Sequence, residues 1–164
     1  KIGAVNCVTI SKKKKLKGYN TDYHGFKKSI QPLLKEHHKK ALILGTGGAS
    51  KAIAYALRSL KIEYDFVSRT ADEFQYKYEE LDASIFEEYA IIINTTPVGT
   101  YPNVNDCPNL DYSLFTKKHI AYDLIYNPEE TAFLKKAKAQ GAVTKNGYEM
   151  LVLQAEKAWK IWNE

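Results

Sequence analysis

The sequence predicts an α/β fold in which a doubly wound parallel sheet carries helices on both faces. Three observations predict it. Short β-rich runs, two of them wholly apolar, recur at Ala41–Leu44, Ile62–Val67, Ala90–Ile93 and Ile120–Leu124. Helical periods alternate with them. The first run ends in Gly45-Thr46-Gly47-Gly48-Ala49-Ser50, and a helical period follows at once. A strand that is apolar on both sides belongs in a parallel sheet buried on both faces, and parallel strands need crossover connections.

The elements follow in order. Ala4–Ile10 and Leu16–Asn20 are β-rich and flank Ser11-Lys12-Lys13-Lys14-Lys15, which reads as a hairpin with a lysine-rich tip. Blocks of like charge usually lie solvated, and this one has no interleaved aromatic platform, so no nucleic-acid partner is expected. The hairpin stands outside the alternation and reads as the remnant of a preceding domain. Lys35–Lys40, with His37 and His38, looks like a helix end followed by a loop. Ala49–Leu60 is helical, with Ile53, Ala56, Leu57 and Leu60 on one face. Ala71–Tyr78 and Ala83–Glu87 are weaker segments, and Asn103–Asn109 is a polar loop. Glu130–Gln140 is helical and stops at Gly141, a natural residue for the position after a helix end. After the turn signal Lys145-Asn146-Gly147, a last helix places Leu151, Ala155, Ala158 and Trp162 on one face.

The 164 residues suit one domain, or one and a piece. A hydrophobic content of 45% with 26% charged residues argues against wholesale disorder. The charge, 24 − 19 = +5, and a pI near 9.0 suit an anionic partner. No apolar run approaches the ~20 residues of a membrane span, so no membrane partner is expected. Cys7 and Cys107 lie far apart and form neither a disulfide framework nor a zinc site. No metal is expected, and the expected compartment is a reducing one, the cytoplasm. The chain starts Lys1-Ile2-Gly3 without an initiator Met or a signal peptide and reads as a truncated or cleaved chain.

Chemistry concentrates at the glycine turn. Gly45 permits the tight turn, Gly47 lets the backbone approach a pyrophosphate, and the helix start offers free N–H groups to it. The third small position of this dinucleotide fingerprint is Ser50. An NAD site places an acid at the tip of the next strand. Asp65 has about the right spacing, but Phe66 and Val67 follow it, which puts it inside the strand. The tip carries Ser68, Arg69 and Thr70, and a guanidinium with hydroxyls suits a 2′-phosphate. The expected cofactor is therefore NADP, with a plain surface arginine as the other reading of Arg69.

Seven segments in order resemble the shikimate dehydrogenase family and cover nearly the whole chain. They are Gly3-Ala4-Val5-Asn6; Gly18-Tyr19-Asn20-Thr21-Asp22; Gly45 to Ser50; Ser68-Arg69-Thr70; Ile93-Asn94-Thr95-Thr96-Pro97-Val98-Gly99; Tyr122-Asp123-Leu124-Ile125-Tyr126-Asn127-Pro128; and Asn146-Gly147-Tyr148-Glu149-Met150-Leu151-Val152-Leu153-Gln154-Ala155. Cys7 and Thr46 depart from the pattern at single positions. The resemblance implies a Rossmann-type NADP domain over residues 22–146 with a linking helix, preceded at 1–21 by the end of a substrate domain. Residues 147–164 would be a closing helix that returns toward that domain. The family's Ser-x-Ser motif and the lysine of its Asn-Val-Thr-x-Pro-x-Lys segment have no counterpart here, so the N-terminal substrate segment is expected to be missing.

The implied reaction is the reversible reduction of 3-dehydroshikimate to shikimate with NADPH. By resemblance Asp22 is the carboxylate of a Lys–Asp pair. Read from the residues alone, it is equally a helix N-cap. Asn6 and Gln154 resemble amides that bind substrate hydroxyls, against a strand-edge Asn and an exposed helix Gln. Tyr126 matches a substrate tyrosine, against an aromatic packed on the core. Gly45, Thr46, Gly47, Gly48 and Ala49, with Ser68, Arg69 and Thr70, would hold the cofactor's phosphates. Thr95, Pro97 and Val98 end a strand at the C-terminal edge of the sheet, where the dinucleotide should lie; Leu124 and Gly147 match family positions beside its nicotinamide half, and Gly147 also reads as a plain turn. Glu73 stands where the family often has a second arginine, which opposes a phosphate there. A quinate/shikimate relative accepting NAD and a non-catalytic nucleotide-binding module are the other readings. Apolar faces left by a missing domain would favour self-association.

Overall fold

The computed structural model describes residues 2–163. Its strands are β1 (Cys7–Ile10), β2 (Leu16–Tyr19), β3 (Lys40–Leu44), β4 (Glu63–Val67), β5 (Gln75–Tyr76), β6 (Ile91–Asn94), β7 (Ile120–Asp123) and β8 (Val143–Lys145). Its helices are α1 (Asp22–Ile30), α2 (Gly48–Ser59), α3 (Ala83–Glu88), α4 (Ala132–Ala139) and α5 (Tyr148–Asn163). Six strands form one parallel sheet in the order β5-β4-β3-β6-β7-β8, and β1 and β2 pair separately as an antiparallel hairpin. The order reverses between β3 and β6, which opens a crevice at the C-terminal edge of the sheet.

Strand alternation divides the core in two. Ala41, Ile43, Ile91, Ile93, Ile120 and Tyr122 point to one face, where Phe26 and Ile30 of α1, Ile53 and Leu57 of α2 and Met150 of α5 cover them. Leu42, Leu44, Ile92 and Ala121 point to the other, under Phe86 of α3 and Phe133, Leu134 and Ala137 of α4. Burial on both faces is why these strands are continuously apolar.

Several expectations need correcting. The segment Lys35–Lys40 is not a helix end. α1 stops at Ile30, a 3-10 turn over Gln31–Leu33 contains Pro32, and Lys40 already opens β3. The helix expected from Glu130 starts at Ala132, because Thr131 caps it by accepting from the Leu134 N–H at 3.3 Å. It ends as expected, with Gly141 at φ +88°. On α5 the buried residues are Met150 and Ala158, while Ala155 and Trp162 are exposed. The reason is a close approach to α1, where a Cβ on Gly25 would lie 2.4 Å from the Met150 carbonyl oxygen. β5 and β8 are edge strands of two and three residues, too short to leave a pattern.

The lysine-rich tip turns on Lys14, at φ 57°, with Ser11 N–H donating to the Lys15 carbonyl at 3.0 Å. Of the hairpin's two strands only Cys7 is buried. The end of α5 holds the hairpin through Trp162 Nε1, which donates to the Val8 carbonyl at 3.2 Å. Among the described residues no helix is long and apolar enough to cross a membrane.

Candidate active site

The glycine turn sits at the reversal of strand order. Gly45 has φ +96°, and a Cβ there would meet Thr96 Cγ2 at 2.8 Å, so this residue must be glycine on two counts. Gly47 and Gly48 face open space: a Cβ on either meets nothing within 4 Å. Gly47 is the N-cap of the twelve-residue α2 and has no side chain to occupy the first N–H groups. Those groups and the positive end of the helix dipole are left to face an anion. Ser50 turns inward instead, its hydroxyl donating to the Gly47 carbonyl at 2.7 Å. Thr46 and Ala49 flank the turn, and Ala49 lines the adjoining cavity.

β4 resolves the position of the acid. Asp65 pairs in register with Leu42, inside the strand, and its carboxylate accepts from the Tyr89 hydroxyl at 2.6 Å. Ser68, Arg69 and Thr70 form the tip. Ser68 N–H donates to the Tyr76 carbonyl at 2.9 Å, and Ser68 Oγ accepts from Thr70 N–H at 3.3 Å. Arg69 is exposed, and among the described residues it has no ion-pair partner. Glu73 is exposed in the loop beyond.

The loops after β6 and β7 wall a cavity of about 490 Å³ lined by Ala49, Thr95, Pro97, Tyr101, Leu124 and Tyr126, among others. Thr95 Oγ1 donates to the Leu44 carbonyl at 2.7 Å, which ties this loop to the glycine turn. Val98 is not among the lining residues, and its carbonyl accepts from Asn94 Nδ2 at 3.4 Å. Gly147 backs the other wall: its N–H donates to the Ile125 carbonyl at 3.0 Å, and a Cβ on it would fall 1.9 Å from the Leu124 oxygen.

Asn6, Asp22 and Gln154 come together around Thr21, which the sequence reading passed over. Asn6 Oδ1 accepts from Thr21 N–H at 2.8 Å, Asn6 Nδ2 donates to Thr21 Oγ1 at 3.2 Å, and Thr21 Oγ1 donates to Gln154 Oε1 at 3.0 Å. Thr21 is buried. The signal that could have found it is its place between the two polar residues of the Asn20-Thr21-Asp22 segment. Asp22 is not a helix cap. Asn20 Oδ1 accepts from the N–H groups of Asp22 and Tyr23 at 3.0 and 3.3 Å, which leaves the Asp22 carboxylate free for other work. Burial raises the Asp22 acid above its usual range, and a hydrogen bond from Asn6 opposes this. Tyr126 lines the cavity after β7 and is not part of this cluster. The Tyr23 and Tyr55 rings meet edge-on at 5.2 Å, which sets the start of α1 beside α2.

No family model matches the chain. Whole proteins do. It is 41% identical over 180 residues to the NADP(+) shikimate dehydrogenase of Caldanaerobacter subterraneus subsp. tengcongensis, with 99% of this chain and 63% of that protein covered. The chain is a homologue of the shikimate dehydrogenases. Solved structures of the family agree with the fold. The enzyme from Aquifex aeolicus superposes with a TM-score of 0.85 at 38% identity, over 99% of this chain and 62% of that one. The Thermus thermophilus enzyme, in complex with NADP(H) and shikimate, gives 0.82 at 34% identity, over 98% and 62%. The chain thus spans a little under two thirds of the length of the shikimate dehydrogenases it matches.

One buried group beneath this homologue's crevice titrates out of its ordinary range. Asp123 is 0% exposed, and burial raises its acid to about 6, against hydrogen bonds from Thr131, Ile125 and Asn94 that pull it down. In the unfolded chain the same acid lies near 3.8. A group with a raised folded pKa contributes stability that is fully present below the unfolded value and lost as pH rises through the folded one. The difference amounts to at most ~3 kcal/mol. Asp123→Asn cannot ionise, so its melting temperature relative to the parent should climb from about pH 4 to about pH 7. Thermal melts across that range check this, and parallel curves would contradict it.

Proposed function

We propose that this chain carries the NADP-binding part of a shikimate dehydrogenase together with one wall of its substrate site. The reaction is the reversible reduction of 3-dehydroshikimate to shikimate. The observation that carries the reading is the convergence of Asn6, Thr21, Asp22 and Gln154, drawn from both ends of the chain, in a fold that also holds the glycine turn of a dinucleotide site. A module that only bound a nucleotide would have no use for this second polar cluster.

The residues present fit the cofactor. The open backbone at Gly47 and Gly48 and the uncapped start of α2 suit a pyrophosphate. Arg69, with Ser68 and Thr70, suits a 2′-phosphate. Thr95, Pro97 and Leu124 offer a mixed wall for the nicotinamide half. Bound NADPH would supply the hydride. Asn6 and Gln154 would orient substrate hydroxyls, and Asp22 would hold the proton-transferring lysine in its charged form. No lysine of this sequence lies in the family's Asn-Val-Thr-x-Pro-x-Lys context, so that role is given to none of them. The exposed Val5, Ile10, Leu16 and Trp159 support self-association of the chain when studied alone. The free thiols of Cys7 and Cys107 fit the cytoplasm.

The test is calorimetric. NADP(H) should bind more tightly than NAD(H), and equal or reversed affinities would overturn the cofactor reading. Loss of a charge-assisted contact is worth roughly 1.5–3 kcal/mol. Arg69→Ala should therefore reduce the preference by about tenfold or more. Glu73→Arg should enlarge it by placing a second cation beside the same phosphate.

A further inference from the structure

The two loops that wall the cavity after β6 and β7 are joined beneath it by one buried carboxylate. Asp123 ends β7. Its Oδ2 accepts from the Thr131 hydroxyl at 2.6 Å, and its Oδ1 from Asn94 Nδ2 at 3.1 Å and from Ile125 N–H at 3.1 Å. Each donor governs a different segment. Ile125 belongs to the loop whose Leu124, Ile125 and Tyr126 line the cavity. Thr131 caps α4, which fixes where that loop ends. Asn94 ends β6, and its Oδ1 accepts from Thr96 N–H at 3.0 Å and from Thr96 Oγ1 at 2.7 Å. Its amide also reaches the Val98 carbonyl at 3.4 Å. Asn94, Asp123 and Thr131 are all buried, and none of the three lines the cavity.

We propose that Asp123 is a positioning residue that sets the two cavity loops against each other, so that the nicotinamide half of the dinucleotide meets a preformed wall. This rests on the cofactor reading above and adds how the wall is built. β6 and β7 are already registered through their backbones, with Asn94 opposite Asp123, but that pairing ends where the loops begin. Beyond it the side chains of Asn94 and Asp123 carry the register on into Thr96, Val98 and Ile125. Three donors on one carboxylate in a dry site leave it little freedom to rotate, and a wall held in this way loses little entropy when a ligand arrives. The adenosine end of the crevice, at the tip of β4, has no bond to this network among the described residues.

That asymmetry supplies the experiment. NADPH and adenosine 2′,5′-bisphosphate, which has the 2′-phosphate but no nicotinamide, are titrated into the parent chain and three variants. Asp123→Ala and Thr131→Val should weaken NADPH by about tenfold and about threefold, and reduce its bound-state nicotinamide fluorescence. Both should leave the bisphosphate within twofold. Asp123→Asn should restore NADPH binding to within about threefold of the parent, because its oxygen still accepts from Asn94 and Ile125 and its amide can donate to a turned Thr131 hydroxyl. Equal weakening of both ligands in Thr131→Val, or no rescue by Asp123→Asn, would reduce Asp123 to a stability role and overturn the proposal. If the parent binds neither ligand, the cofactor reading fails and takes this inference with it.

Discussion

Gly147→Ala is expected to melt roughly 6–12 °C below the parent, the largest stability loss from a single added methyl in this protein. A Cβ at that position would lie 1.9 Å from the Leu124 oxygen and 2.6 Å from its carbonyl carbon. Both are backbone atoms, so no side chain can turn aside, and either α5 or the loop after β7 must move. Overpacking typically costs about 1–3 kcal/mol, and a clash this short with fixed backbone belongs at the upper end, about 3 kcal/mol; each kcal/mol shifts the melting of a domain this size by roughly 2–4 °C. Leu124 faces the candidate cofactor cavity, so dinucleotide affinity should fall with the melting temperature. Gly47→Ala makes the opposite case. Its Cβ enters open space, so the fold should be nearly indifferent while pyrophosphate binding suffers. Melting curves and calorimetry on the two variants check the pair. A Gly147→Ala protein with parental stability would mean that the approach of α5 to β7 is looser than described.

The second large effect concerns turnover. The 164-residue chain should fold and bind dinucleotide, yet show almost no shikimate-dependent reduction of NADP. It holds Asp22 and the amides of Asn6 and Gln154, but no lysine in the family's catalytic context. Loss of a general acid or base typically costs ~10²–10⁴ in rate. Loss of substrate orientation costs more, because geometry alone can supply ~7–11 kcal/mol of a barrier. A steady-state assay with shikimate and NADP decides it. Turnover within about tenfold of a typical enzyme's ~10 s⁻¹ would show that these residues suffice and that the carried-over mechanism is wrong.

The sheet was legible because its strands are buried on both faces, and such runs as Ala41–Leu44 and Ala90–Ile93 admit few other readings. The glycine turn was legible because its geometry demands particular residues. The edge strands β5 and β8 were not, since two or three half-exposed residues carry no period. The buried stripe of α5 was misplaced for a tertiary reason: Gly25 on a different helix lets Met150 come close, and no pattern within α5 records that. Asp22 shows how a local rule can mislead. Aspartate before an amphipathic helix is a good cap, but Asn20 two residues earlier already does that work. Thr21 escaped notice because its partners, Asn6 and Gln154, are distant in sequence and only folding brings them to it.

The bond from Thr21 to Gln154 spans 133 residues. A ribosome delivers the chain from its N-terminus, so the glycine turn and β4 tip can find their neighbours while much of the sheet is still being made. The polar cluster has to wait until α5 has emerged. The proposed dinucleotide face and the proposed substrate face therefore mature at different moments of synthesis, and a nascent chain arrested before residue 154 would present the first without the second.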